Sequence, residues 1–185
     1  MAMPVTLRRF TVDDLHRFPD DGNRYELLDG VLFVTPGPEL PHQLVTARLT
    51  ALLLDFLRAE AGAIVTSPGT VVVRPRHQLE PDVLVSLRPP QARTWEEVTE
   101  HWLAVEVWSP STWAYDQEYK RDAYLDLGVR EVWLIDPKRR LVLVSGEGAG
   151  KDLACDIELR WQSPGSGRKL RVDLEEVFAE IPEDW

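Results

Sequence analysis

The chain has 185 residues, 44% of them hydrophobic and 28% charged, which is enough for one domain (1–185) with a sizeable core. Its single cysteine, Cys155, excludes an intrachain disulfide and a Cys-based zinc site. A net charge of −10, from 21 basic and 31 acidic side chains, has the wrong sign for a protein that coats nucleic acid through its overall field and counts against a simple DNA-binding module. No apolar run reaches the roughly 18 to 20 residues of a membrane span. Arg8 and Arg9 stand before Phe10 where a signal peptide would carry its apolar core, so a cytoplasmic protein is expected. A nuclease remains compatible with this charge, because metal-binding carboxylates are themselves acidic and a local basic stripe suffices for phosphate contact. Arg74, Arg76, Lys120, Arg121, Lys138, Arg139 and Arg140 are candidates for that stripe or ordinary solvated charges.

Thr11 reads as the N-cap of a short helix that stops before Pro19. Arg24-Tyr-Glu-Leu-Leu28 and Val31-Leu-Phe-Val-Thr35 flank Asp29-Gly30, the strongest short-range signal for a two-residue hairpin. From His42 to Ala61, Val45, Leu49, Leu52, Leu53 and Phe56 recur at helical spacing, and Gly62 supplies a stop. Ala63–Thr66, Thr70–Arg74, Asp82–Leu87, Trp102–Trp108 and Glu131–Asp136 are short and rich in Val, Leu and Ile. They predict strands of one largely buried sheet. Arg88–Thr99, with two prolines, predicts a surface connection with one turn of helix, and Leu141–Val144 is expected to pair back after the Asp136-Pro-Lys turn. Gly146–Gly150 predicts a mobile loop and Ser163–Gly167 a turn. Leu159 and Lys169–Val172 predict peripheral strand, and Asp173 caps a closing helix from Leu174 to Ala179.

The segment Glu106-Val-Trp-Ser-Pro-Ser-Thr112, followed by Asp116, Lys120, Tyr124 and Gly128, can be turned into geometry. With Leu103–Val107 as a strand and Thr112–Leu127 as a helix, Glu106 lies about 10 Å before the turn and Lys120 about 12 Å after it. The two side chains therefore return to one level. They form either a buried ion pair or part of a catalytic site, and spacing alone leaves both open. Asp82, at the start of an apolar strand, gains meaning beside Glu106, since two carboxylates on neighbouring strands can share a hard cation such as Mg²⁺. Asp116, Lys120 and Tyr124 share a helix face at intervals of four. Tyr124 is then a phosphate donor or a packed ring. Glu26 is either a solvated hairpin position or a site residue. His42 either orients water or phosphate or merely occupies a helix N-terminal turn. His16, His77 and His101 show no ligand spacing, and neither a Gly-rich phosphate loop nor an exposed nucleophile motif occurs.

Taken together, Arg24-Tyr-Glu-Leu-Leu-Asp-Gly30, His42, Pro81-Asp82, Val105-Glu-Val-Trp-Ser-Pro-Ser-Thr112, Asp116, Lys120, Tyr124 and Gly128-Val-Arg-Glu-Val-Trp-Leu-Ile-Asp-Pro137 resemble the Uma family of restriction endonucleases, within the PD-(D/E)XK nuclease superfamily. The resemblance runs from Arg24 to Pro137. It implies an α/β fold, a restriction-endonuclease-like core with a mixed central β-sheet flanked by α-helices. It also implies metal-dependent cleavage of nucleic-acid phosphodiester bonds, with DNA the expected substrate, Mg²⁺ the expected ion and Mn²⁺ its substitute. By position Asp82 resembles the motif's aspartate and Glu106 its second acid, both as metal ligands. The motif's lysine, two residues after that acid, is replaced by Trp108, and Lys120 on the following helix resembles its migrated counterpart. Glu26 and His42 match recurring family positions as supporting site residues. A homodimer or higher homo-oligomer is expected if both strands of a duplex are cut. The alternatives are a catalytically inactive nuclease-like scaffold or nucleic-acid sensor, suggested by the acidic surface and Trp108, and a hydrolase of another phosphate ester.

Overall fold

A computed structural model describes residues 9–108 and 119–182. At the N-terminal end, helix α1 (Val12–Leu15) is fixed by the Asp14 carboxylate, which accepts hydrogen bonds from the Thr11 backbone N–H and hydroxyl, both at 2.9 Å. Strands β1 (Arg24–Leu28) and β2 (Val31–Thr35) form the expected hairpin. Asp29 and Gly30 supply the positive φ angles, 49° and 75°, that a tight two-residue turn requires. The other edge of β1 pairs with β5 (His77–Leu79), and β5 pairs with β4 (Val71–Val73), so that a four-stranded antiparallel sheet runs β2-β1-β5-β4.

The larger sheet is built from β3 (Ala63–Thr66), β6 (Val83–Leu87), β7 (Glu100–Val107), β8 (Glu131–Asp136), β9 (Leu141–Gly146) and β10 (Gly150–Cys155). Its order is β10-β9-β8-β7-β6-β3, and β7–β8 is its one parallel pair among the described residues. Alternation along these strands feeds two cores, one on each face. Val83, Val85, Leu103, Val105, Val107, Trp133 and Ile135 turn towards helix α2 (Leu40–Leu57), which contributes Val45, Leu49, Leu53 and Leu57. Each of those four helix residues is at most 4% exposed, and burying such a side chain contributes about 1.5–3 kcal/mol. Strands β11 (Glu158–Gln162) and β12 (Lys169–Asp173), with helix α4 (Leu174–Val177), add Leu159, Trp161, Val172 and Phe178 to the same core. Leu84, Ala104, Val132 and Leu134 face the opposite way. They meet Val71 and Leu79 of the four-stranded sheet and Ala123 and Tyr124 of helix α3 (Arg121–Asp126).

The mixed sheet flanked by helices agrees with the fold expected from sequence. Four local expectations change. Thr70–Arg74 does not join the central sheet but forms β4 of the second one, paired with β5, a strand too short to announce itself. Gly146–Gly150 is a turn closed by Ala149 N–H to Gly146 O at 3.2 Å, and it leads into strand β10. The long helix starts at Leu40 and ends at Leu57, four residues before Ala61. Helix α3 is preceded by a widened π turn at Tyr119–Lys120, while Thr112 and Asp116 lie outside the described residues.

Candidate active site

Three buried carboxylates gather where the C-terminal end of β7 meets the start of β6 and the middle of β1. Glu26 is 0% exposed, and Asp82 and Glu106 are each 2% exposed. The β6–β7 register, with Val83 opposite Val105, sets Asp82 level with Glu106 at the end of the antiparallel pair. Asp82 there takes over a ladder position, because its Oδ2 accepts the Val107 backbone N–H at 2.8 Å. Glu26 is not the solvated hairpin position that alternation alone allows, because its carboxylate turns inward to Lys120 and Glu80. Its Oε1 accepts the Glu80 N–H at 2.7 Å.

The expected meeting of Glu106 and Lys120 is present, and Lys120 serves a second acid as well. Lys120 Nζ lies 3.1 Å from Glu106 Oε1 and 2.8 Å from Glu26 Oε2. The second contact is an ion pair without hydrogen-bond angles, so Glu26 Oε2 has no hydrogen-bond donor among the described residues. The Tyr124 hydroxyl donates to the same Glu106 oxygen at 2.6 Å. Lys120 and Tyr124, four residues apart across the π turn into α3, thus converge on one carboxylate.

Asp82 has a separate set of partners. His42 Nε2, in the first turn of α2, lies 2.9 Å from Asp82 Oδ2, and Arg24 Nη1 donates to Oδ1 at 2.7 Å. Burial raises the cost of charge on Asp82. The His42 hydrogen bond and charge, the Arg24 charge and the Val107 N–H together outweigh that cost and hold its pKa near 2. Asp82 is therefore ionised at neutral pH. Glu80, beside the group, moves the other way: burial first, and then the neighbouring Glu26 charge, push its carboxyl up.

The structure thus brings Glu26, His42, Asp82, Glu106 and Lys120 into one buried group. Sequence reasoning missed Arg24, although its position two residues before Glu26 on a strand places both on one face. Trp108, two residues after Glu106, is 6% exposed within the core beside Tyr124, and its indole N–H has no partner among the described residues. Among the described residues no three His, Cys, Asp or Glu side chains form a ready cation cage. Such a cage is not required for Mg²⁺, which is commonly held by one or two carboxylates with waters and phosphate oxygens completing the shell.

The family model described as "Uma2: Putative restriction endonuclease" matches residues 12–172. The chain belongs to the Uma2 family. That match includes every residue of the buried group. A 102-residue segment is 30% identical to the uncharacterized protein slr1290 of Synechocystis sp. (strain ATCC 27184 / PCC 6803 / Kazusa), covering 55% of this chain and 54% of that protein. The chain thus spans about half the length of this curated relative. In fold, this Uma2 chain is similar to a crystal structure described as a putative nuclease belonging to DUF820 from Anabaena variabilis ATCC 29413. The TM-score is 0.75 at 18% identity, over 92% of this chain and 98% of that one. No helix among the described residues is long and apolar enough to cross a membrane.

Proposed function

We propose that this Uma2 protein is a divalent-metal-dependent endonuclease that hydrolyses phosphodiester bonds, with DNA as its substrate. The observation that carries the reading is the burial of three carboxylates, Glu26 and Glu106 sharing Lys120 and Asp82 level with Glu106 on the adjacent strand. Their hard oxygen donors and the ionised state of Asp82 suit Mg²⁺, or Mn²⁺ in its place. When bound by Asp82 and Glu106, the ion supplies Lewis acidity and lowers the pKa of a coordinated water. His42 and the Val107 N–H hold the Asp82 carboxylate in place, and Tyr124 does the same for Glu106. Glu26 anchors the Lys120 ammonium, whose charge stabilises the negative charge that grows on phosphate during cleavage. A site acting on both strands of a duplex is most simply presented twice by a two-fold dimer, and the cytoplasm is where such a substrate is met.

The test is nicking of supercoiled plasmid with Mg²⁺, Mn²⁺ or EDTA, using wild type, Asp82→Asn and Glu106→Gln. Metal-dependent nicking lost in both variants is expected. Wild type that cuts neither DNA nor RNA and binds no Mn²⁺ by calorimetry refutes the reading. Such a result favours the inactive scaffold, in which the contacts from Arg24, His42, Lys120 and Tyr124 serve stability alone. Light scattering of the eluting protein checks the dimer, and a strict monomer rejects it.

A further inference from the structure

Arg24 stands out because its chemistry is only half used. Its Nη1 reaches Asp82 Oδ1 at 2.7 Å and the Glu80 carbonyl at 3.5 Å, while Nε and Nη2 have no hydrogen-bond partner among the described residues. Its side chain is 23% exposed, against 2% for Asp82, so it lies between the buried acid and solvent. Burial works against the guanidinium charge, but the facing Asp82, Glu106 and Glu26 carboxylates outweigh it and raise its pKa further. Arg24 therefore feels all three acids of the group. The three carboxylates of Glu26, Asp82 and Glu106 outnumber the Arg24 and Lys120 cations by one. A divalent ion turns that to one positive charge, the complement of a single phosphodiester.

We propose that Arg24 is a placeholder cation that covers Asp82 Oδ1 in the metal-free protein and, once displaced by the metal, turns its planar fork to a substrate phosphate. This deepens the metal-site reading above and rests on it. The guanidinium suits both tasks, because it stays charged and presents paired N–H donors that match carboxylate and phosphate oxygens alike. Partial exposure, 23% at the strand's first residue, lets it swing without moving β1. Arg24 competes with metal for one oxygen but cooperates with it for the phosphate, so its removal shifts two affinities in opposite directions.

The experiment compares wild type with Arg24→Gln and Arg24→Lys. Mn²⁺ affinity is read by calorimetry, and affinity for a short fluorescein-labelled duplex by anisotropy in saturating Ca²⁺. Arg24→Gln is expected to bind Mn²⁺ about tenfold more tightly and the duplex about tenfold more weakly, each corresponding to about 1.4 kcal/mol. Arg24→Lys, which keeps the charge, should hold Mn²⁺ affinity within about threefold of wild type. A residue that merely props up Asp82 predicts weaker Mn²⁺ binding in Arg24→Gln, and that outcome overturns the placeholder role while leaving the metal site standing. Wild type that binds no Mn²⁺ removes the metal site and this inference together. If Arg24→Gln does not fold, the side-chain Nε–H resonance of Arg24 in wild type is followed by NMR on adding Mg²⁺. Displacement predicts a shift of that resonance, and an unmoved one refutes it.

Discussion

Replacing Lys120 by Met keeps the length of the side chain and removes its charge. The Lys120 side chain is 4% exposed, and its two partners, Glu26 and Glu106, are 0% and 3% exposed. Glu26 then retains the Glu80 N–H and Glu106 retains the Tyr124 hydroxyl, but both lose the Lys120 ammonium. Breaking a buried pair by deleting one partner costs about 3–5 kcal/mol. For a chain of this length that is a loss of roughly 6–20 °C in melting temperature. Near-UV circular dichroism reads the melt directly, since seven tryptophans report on packing. Saturating Mn²⁺, at about 100 times its dissociation constant, should restore about 2.7 kcal/mol, because the stranded carboxylates gain a new counter-charge. The double variant Lys120→Met with Glu26→Gln should recover stability without cleavage, which separates the structural role of the ammonium from its catalytic one. A Lys120→Met protein that melts within about 2 °C of wild type would refute the claim that the ammonium holds these acids.

Two titrations should give separate acid limbs. Asp82, held near pKa 2 against an ordinary 3.8, contributes about 2 kcal/mol. That contribution is fully present above about pH 4 and lost as pH falls towards 2, and urea midpoints for Asp82→Asn should lack this limb. His101 is 3% exposed, with Nδ1 2.8 Å from the Ser86 hydroxyl, and burial lowers its pKa from 6.5 to about 4. Its stabilisation of about 3 kcal/mol is full above about pH 6.5 and lost as pH falls through 4, a slope that His101→Gln should flatten in the same urea series. Gly69 has no room for a methyl group, since a Cβ there would lie 2.2 Å from Leu84 Cβ and 2.8 Å from Thr66 Oγ1. Gly69→Ala should cost about 1–3 kcal/mol, or roughly 2–12 °C in the thermal melt.

The hairpin and α2 were legible because their signals are local: an Asp-Gly turn in one, helical periodicity in the other. Strand β10 was not, because an edge strand of mostly exposed residues carries no alternating pattern, and its first residue, Gly150, reads as the end of a glycine-rich loop. β5 spans three residues, and its place depends on β1 and β4 rather than on its own composition. In the site, the Glu106–Lys120 meeting was expected from strand and helix rise, and Lys120 Nζ does lie 3.1 Å from Glu106 Oε1, while the helix expected from Thr112 begins outside the described residues. The burial of Glu26 was not legible, because its partners Glu80 and Lys120 lie more than fifty positions away in the chain. Tyr124 was left between a phosphate donor and a packed ring; its ring lies in the core and its hydroxyl donates to Glu106.

The parallel β7–β8 pair has a consequence for how the chain comes off the ribosome. Parallel neighbours require a crossover, and here that crossover carries Lys120 back to Glu106 after every other member of the group has already been synthesised. A nascent chain that stops short of Lys120 holds three carboxylates with no ammonium between them, and the β6–β7 pair is not yet flanked by β8. Acids so placed repel one another and resist burial. The last charge to emerge thus lets the first ones pack, and under the reading proposed above, cutting competence arrives only with the crossover complete.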